Sequence, residues 1–164
     1  MKSSSSRINR RQALVATLTL AASAGSLRAF AAPAVLPASV SLPDELGRAL
    51  KSGNPLLVMV SLEGCPFCKV TRENYLGPMH LQQGLPVVQL DMRSNQAVKD
   101  FRGAMSTHDQ LIRTWRINIA PTVLFFGAGG VEIAERLVGG YLPDFYGAYL
   151  DGRLSTARAA IKPV

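Results

Sequence analysis

The chain has two cysteines, Cys65 and Cys68, in the order Cys65-Pro66-Phe67-Cys68. A disulfide between them closes a loop of two residues, and so short a loop removes little entropy from the unfolded chain. As a structural staple the pair is weak. The same spacing suits thiol-disulfide exchange, in which the attacking species is a thiolate, whereas an ordinary cysteine is mostly protonated near neutral pH. Pro66 fits the first turn of a helix, which makes Cys65 its cap. The partial positive charge and free N–H groups of that helix end favour an anion on the Cys65 sulfur. A residue three positions on lies on the same helix face. Cys68 can therefore attack a mixed disulfide formed at Cys65 from behind, and the pair ends oxidised or runs in reverse.

Two cysteines in this spacing also supply half of a tetrahedral zinc shell. The other half is missing, since no second such pair exists and His80 and His108 fall in different expected elements, as surface or helix-end residues. No metal site is expected, and no cofactor beyond the Cys65–Cys68 disulfide itself. Three neighbours of the pair are candidates for supporting roles. Glu63, the nearest acid in sequence, can exchange a proton with Cys68 through water or simply be a solvated loop residue. Lys69 can favour a thiolate at short range or simply be solvated, and Phe67 is expected as an exposed contact for substrate.

The pair needs a scaffold, and the order of elements supplies one. Ser41 can cap a helix with Pro43 and Asp44 in its first turn and Leu42, Leu46 and Leu50 at a spacing of four, ending before Asn54-Pro55. The apolar run Leu56 to Leu62 predicts a central strand covered on both faces, leading into Gly64-Cys65. A helix is expected from Pro66 to about Tyr75, interrupted at Gly77-Pro78, with a short helical segment around Met79 to Gln83. Pro86 to Met92 reads as a second buried strand, and Asp100 to Gly103 as a turn within the otherwise unassigned stretch 93–106. Thr107 and Gln110 have the spacing of a capping box, so a helix is expected from His108 to Trp115, with Leu111, Ile112 and Trp115 inward. Thr122 to Phe126 and Val131 to Val138 read as an antiparallel hairpin joined by Gly127 to Gly130. Pro143 suits the first turn of a last helix bearing Phe145, Tyr149 and Leu150, with the tail 153–164 unassigned. The four strands and the helices between them predict an α/β fold, a central mixed sheet with helices on both faces.

On the residues Cys65-Pro66-Phe67-Cys68-Lys69, Ala120-Pro121-Thr122 and Gly139-Gly140-Tyr141, the chain resembles thioredoxin-like proteins over about residues 41 to 152. Gly64 with the cysteine motif, Leu90-Asp91-Met92 and Asp100-Phe101-Arg102-Gly103 look most like exported SoxW-type thioredoxins. The resemblance implies the thioredoxin fold, a cis peptide at Pro121 facing the cysteines, and a substrate chain that meets the backbone of Ala120. It also implies a departure. Many thioredoxins have a buried carboxylate six residues before the first cysteine, and that position is Met59 here.

The formal charge of +7 sits at the front of the chain. Residues 1–31 carry five of the 18 basic residues and no acid, leaving 13 basic against 11 acidic residues, a net of +2, so nucleic-acid binding loses its support. That stretch reads as a cleavable signal peptide, with a basic start through Arg11, an apolar run from Ala13 to Ala24, and a cut expected after Ala31. Arg10-Arg11 leaves the general and twin-arginine routes both open. Residues 32–40, with Pro33 and Pro37, read as a linker to a domain at 41–164.

The expectation is an exported, periplasmic thiol-disulfide oxidoreductase acting on protein thiols and disulfides. Rival readings are a binding or chaperone module with an idle cysteine pair, a disulfide-forming oxidase, and a peroxide-reducing enzyme, for which no motif beyond the pair speaks. Pro66 and Phe67 bring no charge or histidine to the attacking sulfur, so thiolate stabilisation should be moderate. A reductant recharged by a membrane electron donor follows, as the SoxW-type resemblance also implies.

Overall fold

The computed structural model describes residues 35–140 and 143–161, without the side chains of residues 143 and 144. The chain divides into two units, Met1–Phe30 and Ala31–Val164, and every described residue belongs to the second. The expected signal peptide, residues 32–34 of the expected linker, Tyr141 and the end of the tail at 162–164 lie outside the described residues.

Four strands form one mixed sheet in the order β2-β1-β5-β6: β1 Leu56–Ser61, β2 Val87–Asp91, β5 Thr122–Gly127 and β6 Val131–Val138. β1 pairs parallel with β2 and antiparallel with β5, which in turn pairs antiparallel with β6. β1 is buried along its whole length because both faces are covered, as its run of five apolar residues before Ser61 requires. Leu56, Val58 and Val60 point into a core closed by α1 (Leu42–Lys51) and α4 (His108–Thr114). Leu57 and Met59 point into a second core with Cys68, Leu76 and, from α5 (Pro143–Ala160), Tyr146, Leu150 and Leu154. Each such side chain contributes roughly 1.5–3 kcal/mol on burial. A small hairpin of β3 (Ala97–Lys99) and β4 (Met105–Thr107) fills the stretch left unassigned from sequence. Its turn is held by the Asp100 carboxylate, which accepts from the backbone N–H groups of Arg102 and Ala104, both at 2.9 Å.

Several expectations are corrected. Residues 35–40 are not a free linker: Ser39 N–H donates to the Gln89 carbonyl at 2.9 Å and Gln89 N–H to that of Pro37 at 2.8 Å, so the segment pairs with the outer edge of β2. Buried Leu36 anchors it. The helix opened by Pro66 does not stop at Gly77-Pro78. α2 (Pro66–Val70) runs through a π-helical turn, Thr71–Leu76, into α3, Gly77–Gln83. In that turn Gly77 N–H reaches back five residues to the Arg72 carbonyl, and the wider coil leaves room for the Pro78 ring, which clashes in an ordinary helix interior. Ser41 occupies the cap of α1 without capping by its side chain, which donates to Asp44 at 2.6 Å; the Glu45 carboxylate accepts from Val40 and Ser41 N–H instead. α5 extends to Ala160 and buries Tyr146, Leu150, Leu154 and Ala157, while Phe145 and Tyr149 are exposed. His108 is not at the surface but fully buried, accepting from Asp91 N–H at Nδ1 (3.1 Å) and meeting the Ser39 carbonyl with Nε2 at 2.9 Å. The Thr107–Gln110 capping box is present as expected.

Candidate active site

β1 ends in a turn in which Cys65 N–H donates to the Leu62 carbonyl at 3.2 Å. Gly64 sits there at φ +73°, a left-handed conformation that glycine adopts without strain. Cys65 then caps α2, with its sulfur accepting the Cys68 N–H at 3.2 Å. The cap is the arrangement that stabilises negative charge on that sulfur, because a free helix N–H points at it. Cys65 is half-buried and Cys68 fully buried behind it, both as free thiols. Burial, chiefly, pushes the Cys68 thiol up from 9.0 to about 11, helped by its hydrogen bond to Cys65 and the charge there; the Leu62 backbone and the Ser61 hydroxyl pull the other way.

The Ala120-Pro121 peptide is cis, as the resemblance implies, and it brings the Ala120 carbonyl oxygen to 3.9 Å from the Cys65 sulfur. Thr122 Oγ1 closes the approach to this turn by donating to the Ile119 carbonyl at 2.7 Å, and Gly139 N–H donates to the Pro121 carbonyl at 2.7 Å. Gly140 lies so close that a Cβ there would stand 3.3 Å from Phe67 Cβ and 3.5 Å from Pro121 Cγ. Phe67, Pro121 and the closing glycines thus form one surface beside Cys65, on which Phe67 is 45% exposed.

On the other side of Cys65 is an open cavity of about 1300 Å³, bordered by Glu63, Lys69 and Arg72 and by Asp91 and Arg93 at the end of β2. Glu63 and Lys69 are exposed on its rim, and among the described residues neither side chain hydrogen-bonds a cysteine. Met59 is fully buried among apolar side chains, so the position of the family's carboxylate holds no proton acceptor. The polar group on the Cys68 side that went unread in the sequence is Ser61 on β1, whose hydroxyl favours the ionised form of Cys68. Alternation along β1 and the four-residue step from Cys68 to Arg72 were the available signals. No group of three or more potential metal ligands is gathered among the described residues.

Three comparisons place this geometry. No curated protein sequence matches the chain. Among solved structures it is similar to a thioredoxin-fold protein from Helicobacter pylori, 13% identical at a TM-score of 0.51 over 68% of this chain and 76% of that one. It is also similar to the periplasmic thioredoxin SoxS from Paracoccus pantotrophus in its reduced form, 22% identical at a TM-score of 0.42 over 63% of this chain and 98% of that one. The oxidised C-terminal domain of DsbD from Neisseria meningitidis is 18% identical at a TM-score of 0.49, over 71% and 99%. The thioredoxin-like domain family matches residues 42–152, from α1 through the cysteine pair and the cis proline into α5. With that match across most of its length, the chain belongs to the thioredoxin-like domain family, and both free thiols lie within the matched residues.

Proposed function

We propose that this protein reduces disulfides of other proteins in the periplasm, with Cys65 as the attacking thiolate and Cys68 as the resolving thiol. The observation that carries the reading is the helix cap: the Cys65 sulfur accepts the Cys68 N–H at 3.2 Å and is reachable from outside, while Cys68 is buried directly behind it. An exposed nucleophile with a shielded partner is the order of attack that resolution requires. Phe67, Ala120 and Pro121 receive the substrate chain, whose backbone pairs beside the cis peptide. Export rests on the basic, apolar and small-residue pattern of residues 1–31. Nothing charged lies between the cysteines, so the pair works as a reductant, recharged by a membrane electron donor.

The test is dithiothreitol-driven insulin reduction by the wild type and by Cys65→Ser. The wild type should accelerate precipitation of the insulin chains and Cys65→Ser should fall to background. Equal rates would overturn the reading in favour of a binding module with idle cysteines. A reduction potential near about −120 mV in glutathione buffers would reverse the direction to oxidase.

A further inference from the structure

Along β1, alternation sends Val58 and Val60 into one core and Leu57 and Met59 into the other, where Cys68 packs. The next position on the Cys68 side is Ser61, 1% exposed. Its oxygen accepts a hydrogen bond of 2.8 Å from Arg72 Nη2, while Arg72 Nε donates to Gln89 Oε1 at 2.8 Å. Gln89 Nε2 donates onward to Asp91 Oδ1 at 2.7 Å, so the guanidinium is held in one orientation by β1 and β2 together. Arg72 lies four residues after Cys68, one helical turn along the same face. Among the described residues no carboxylate pairs with it. A serine oxygen that accepts from a guanidinium keeps its own O–H to give, and Ser61 lies on the Cys68 side of β1, where its hydroxyl favours the ionised form of that thiol.

We propose that Ser61 and Arg72 take over the support of Cys68 that a buried carboxylate gives elsewhere in the family: Ser61 donates its O–H to the Cys68 sulfur, and Arg72 positions and polarises that hydroxyl. The inference deepens the exchange reading and rests on it. In the step concerned, a substrate sulfur is bonded to Cys65. Cys68 loses its proton to solvent, and its sulfur attacks that of Cys65. The Cys65–Cys68 bond forms, the bond from Cys65 to the substrate sulfur breaks, and the electron pair leaves on the substrate thiolate, which is protonated by water. The two cysteines are oxidised and the substrate disulfide has gained two electrons. Throughout, the negative charge on Cys68 has a hydrogen bond from Ser61 backed by a full positive charge.

The other ionisable groups around this point are Cys65 and Lys69 on α2, Glu63 before it and Glu73 on the π-helical turn, with Asp91 and Arg93 at the end of β2. Lys69, Glu63, Glu73, Asp91 and Arg93 border the open cavity, where solvent screens them, whereas Cys65 is in direct contact and its charge raises the Cys68 thiol. From α5 comes Tyr146, a neutral phenol whose pKa burial raises to about 12.

The experiment mixes reduced protein with one equivalent of dithiobis-nitrobenzoate in a stopped-flow instrument. The first nitrobenzoate thiolate released reports bimolecular attack by Cys65; the second reports unimolecular resolution by Cys68. If Ser61→Ala raises the Cys68 pKa by about one unit, the thiolate fraction drops about tenfold at neutral pH while its nucleophilicity rises about threefold. The second phase should therefore be about threefold slower at neutral pH, with the first phase unchanged. Arg72→Gln should shift the profile in the same direction, and Arg72→Lys, which keeps the charge, should restore most of the wild-type profile. A Ser61→Ala profile that overlays the wild type, or an Arg72→Lys profile no nearer the wild type than that of Arg72→Gln, overturns the assignment. A wild type that releases only one equivalent overturns the exchange reading itself.

Discussion

The buried Cys68 thiol makes the reduced protein sensitive to alkali in a calculable way. Its pKa is 9.0 in an ordinary setting and about 11 in the fold, raised chiefly by burial and then by Cys65. The folded chain therefore holds this proton more tightly than the unfolded chain does. The corresponding stability is fully present below about pH 9 and is lost as pH rises through about 11. Two units amount to roughly 3 kcal/mol, of which about half should be gone at about pH 10. Tyr146, raised from 10.0 to about 12 chiefly by burial, acts with the same sign but starts a unit later. The assay is urea unfolding of the reduced protein near pH 8 and pH 10, beside Cys68→Ala under the same reductant. With a urea slope of about 1–1.5 kcal/mol per M, the wild-type midpoint should fall about 1 M further than that of the variant. Midpoints that fall in parallel would refute the argument, since the alkaline loss would then come from groups other than Cys68.

Two further changes probe the polar groups packed into the fold. The Tyr146 hydroxyl is buried without a hydrogen bond, because the Thr71 hydroxyl draws its pKa down yet does not meet it in bonding geometry. Tyr146→Phe should stabilise the protein by about 1 kcal/mol, a rise of about 4 °C in a thermal melt; a lower Tm would show that the hydroxyl is satisfied. His108→Ala strips the Asp91 N–H and the Ser39 carbonyl of their partner and leaves a cavity, so urea unfolding should show a loss of about 3 kcal/mol, with faster hydrogen exchange at the Asp91 amide. A loss under about 1 kcal/mol would mean that solvent replaces the ring.

The parts of the fold legible in the sequence are those whose signal is local. The nearly unbroken apolar run of β1 pointed to a strand covered on both faces, and Thr107 with Gln110 could close a capping box without help from elsewhere. Cys65 and Pro66 fixed the nucleophile at a helix start because the cap needs only its own next residues. Residues 35–40 carry Pro37 and small residues and so read as part of a linker, yet the backbone groups of Pro37 and Ser39 found partners on Gln89, a pairing that no local pattern specifies. Gly77-Pro78 read as a break because proline usually ends a helix, and it was absorbed by a widened turn whose cost packing meets, with Leu76 buried in the core.

The sequence by itself determined the chemistry: two thiols three positions apart, one at a helix cap, and an apolar Met59 in place of a carboxylate. Tertiary structure alone decided what surrounds Cys68. Ser61 reads as one polar residue in a strand, Arg72 as one helix cation and His108 as one helix-end residue until register and packing set each beside a particular partner. Periodicity says which face a side chain takes, because that follows from backbone geometry within one element. Which donor meets which acceptor depends on how separate elements dock, and that is fixed only when the whole core closes.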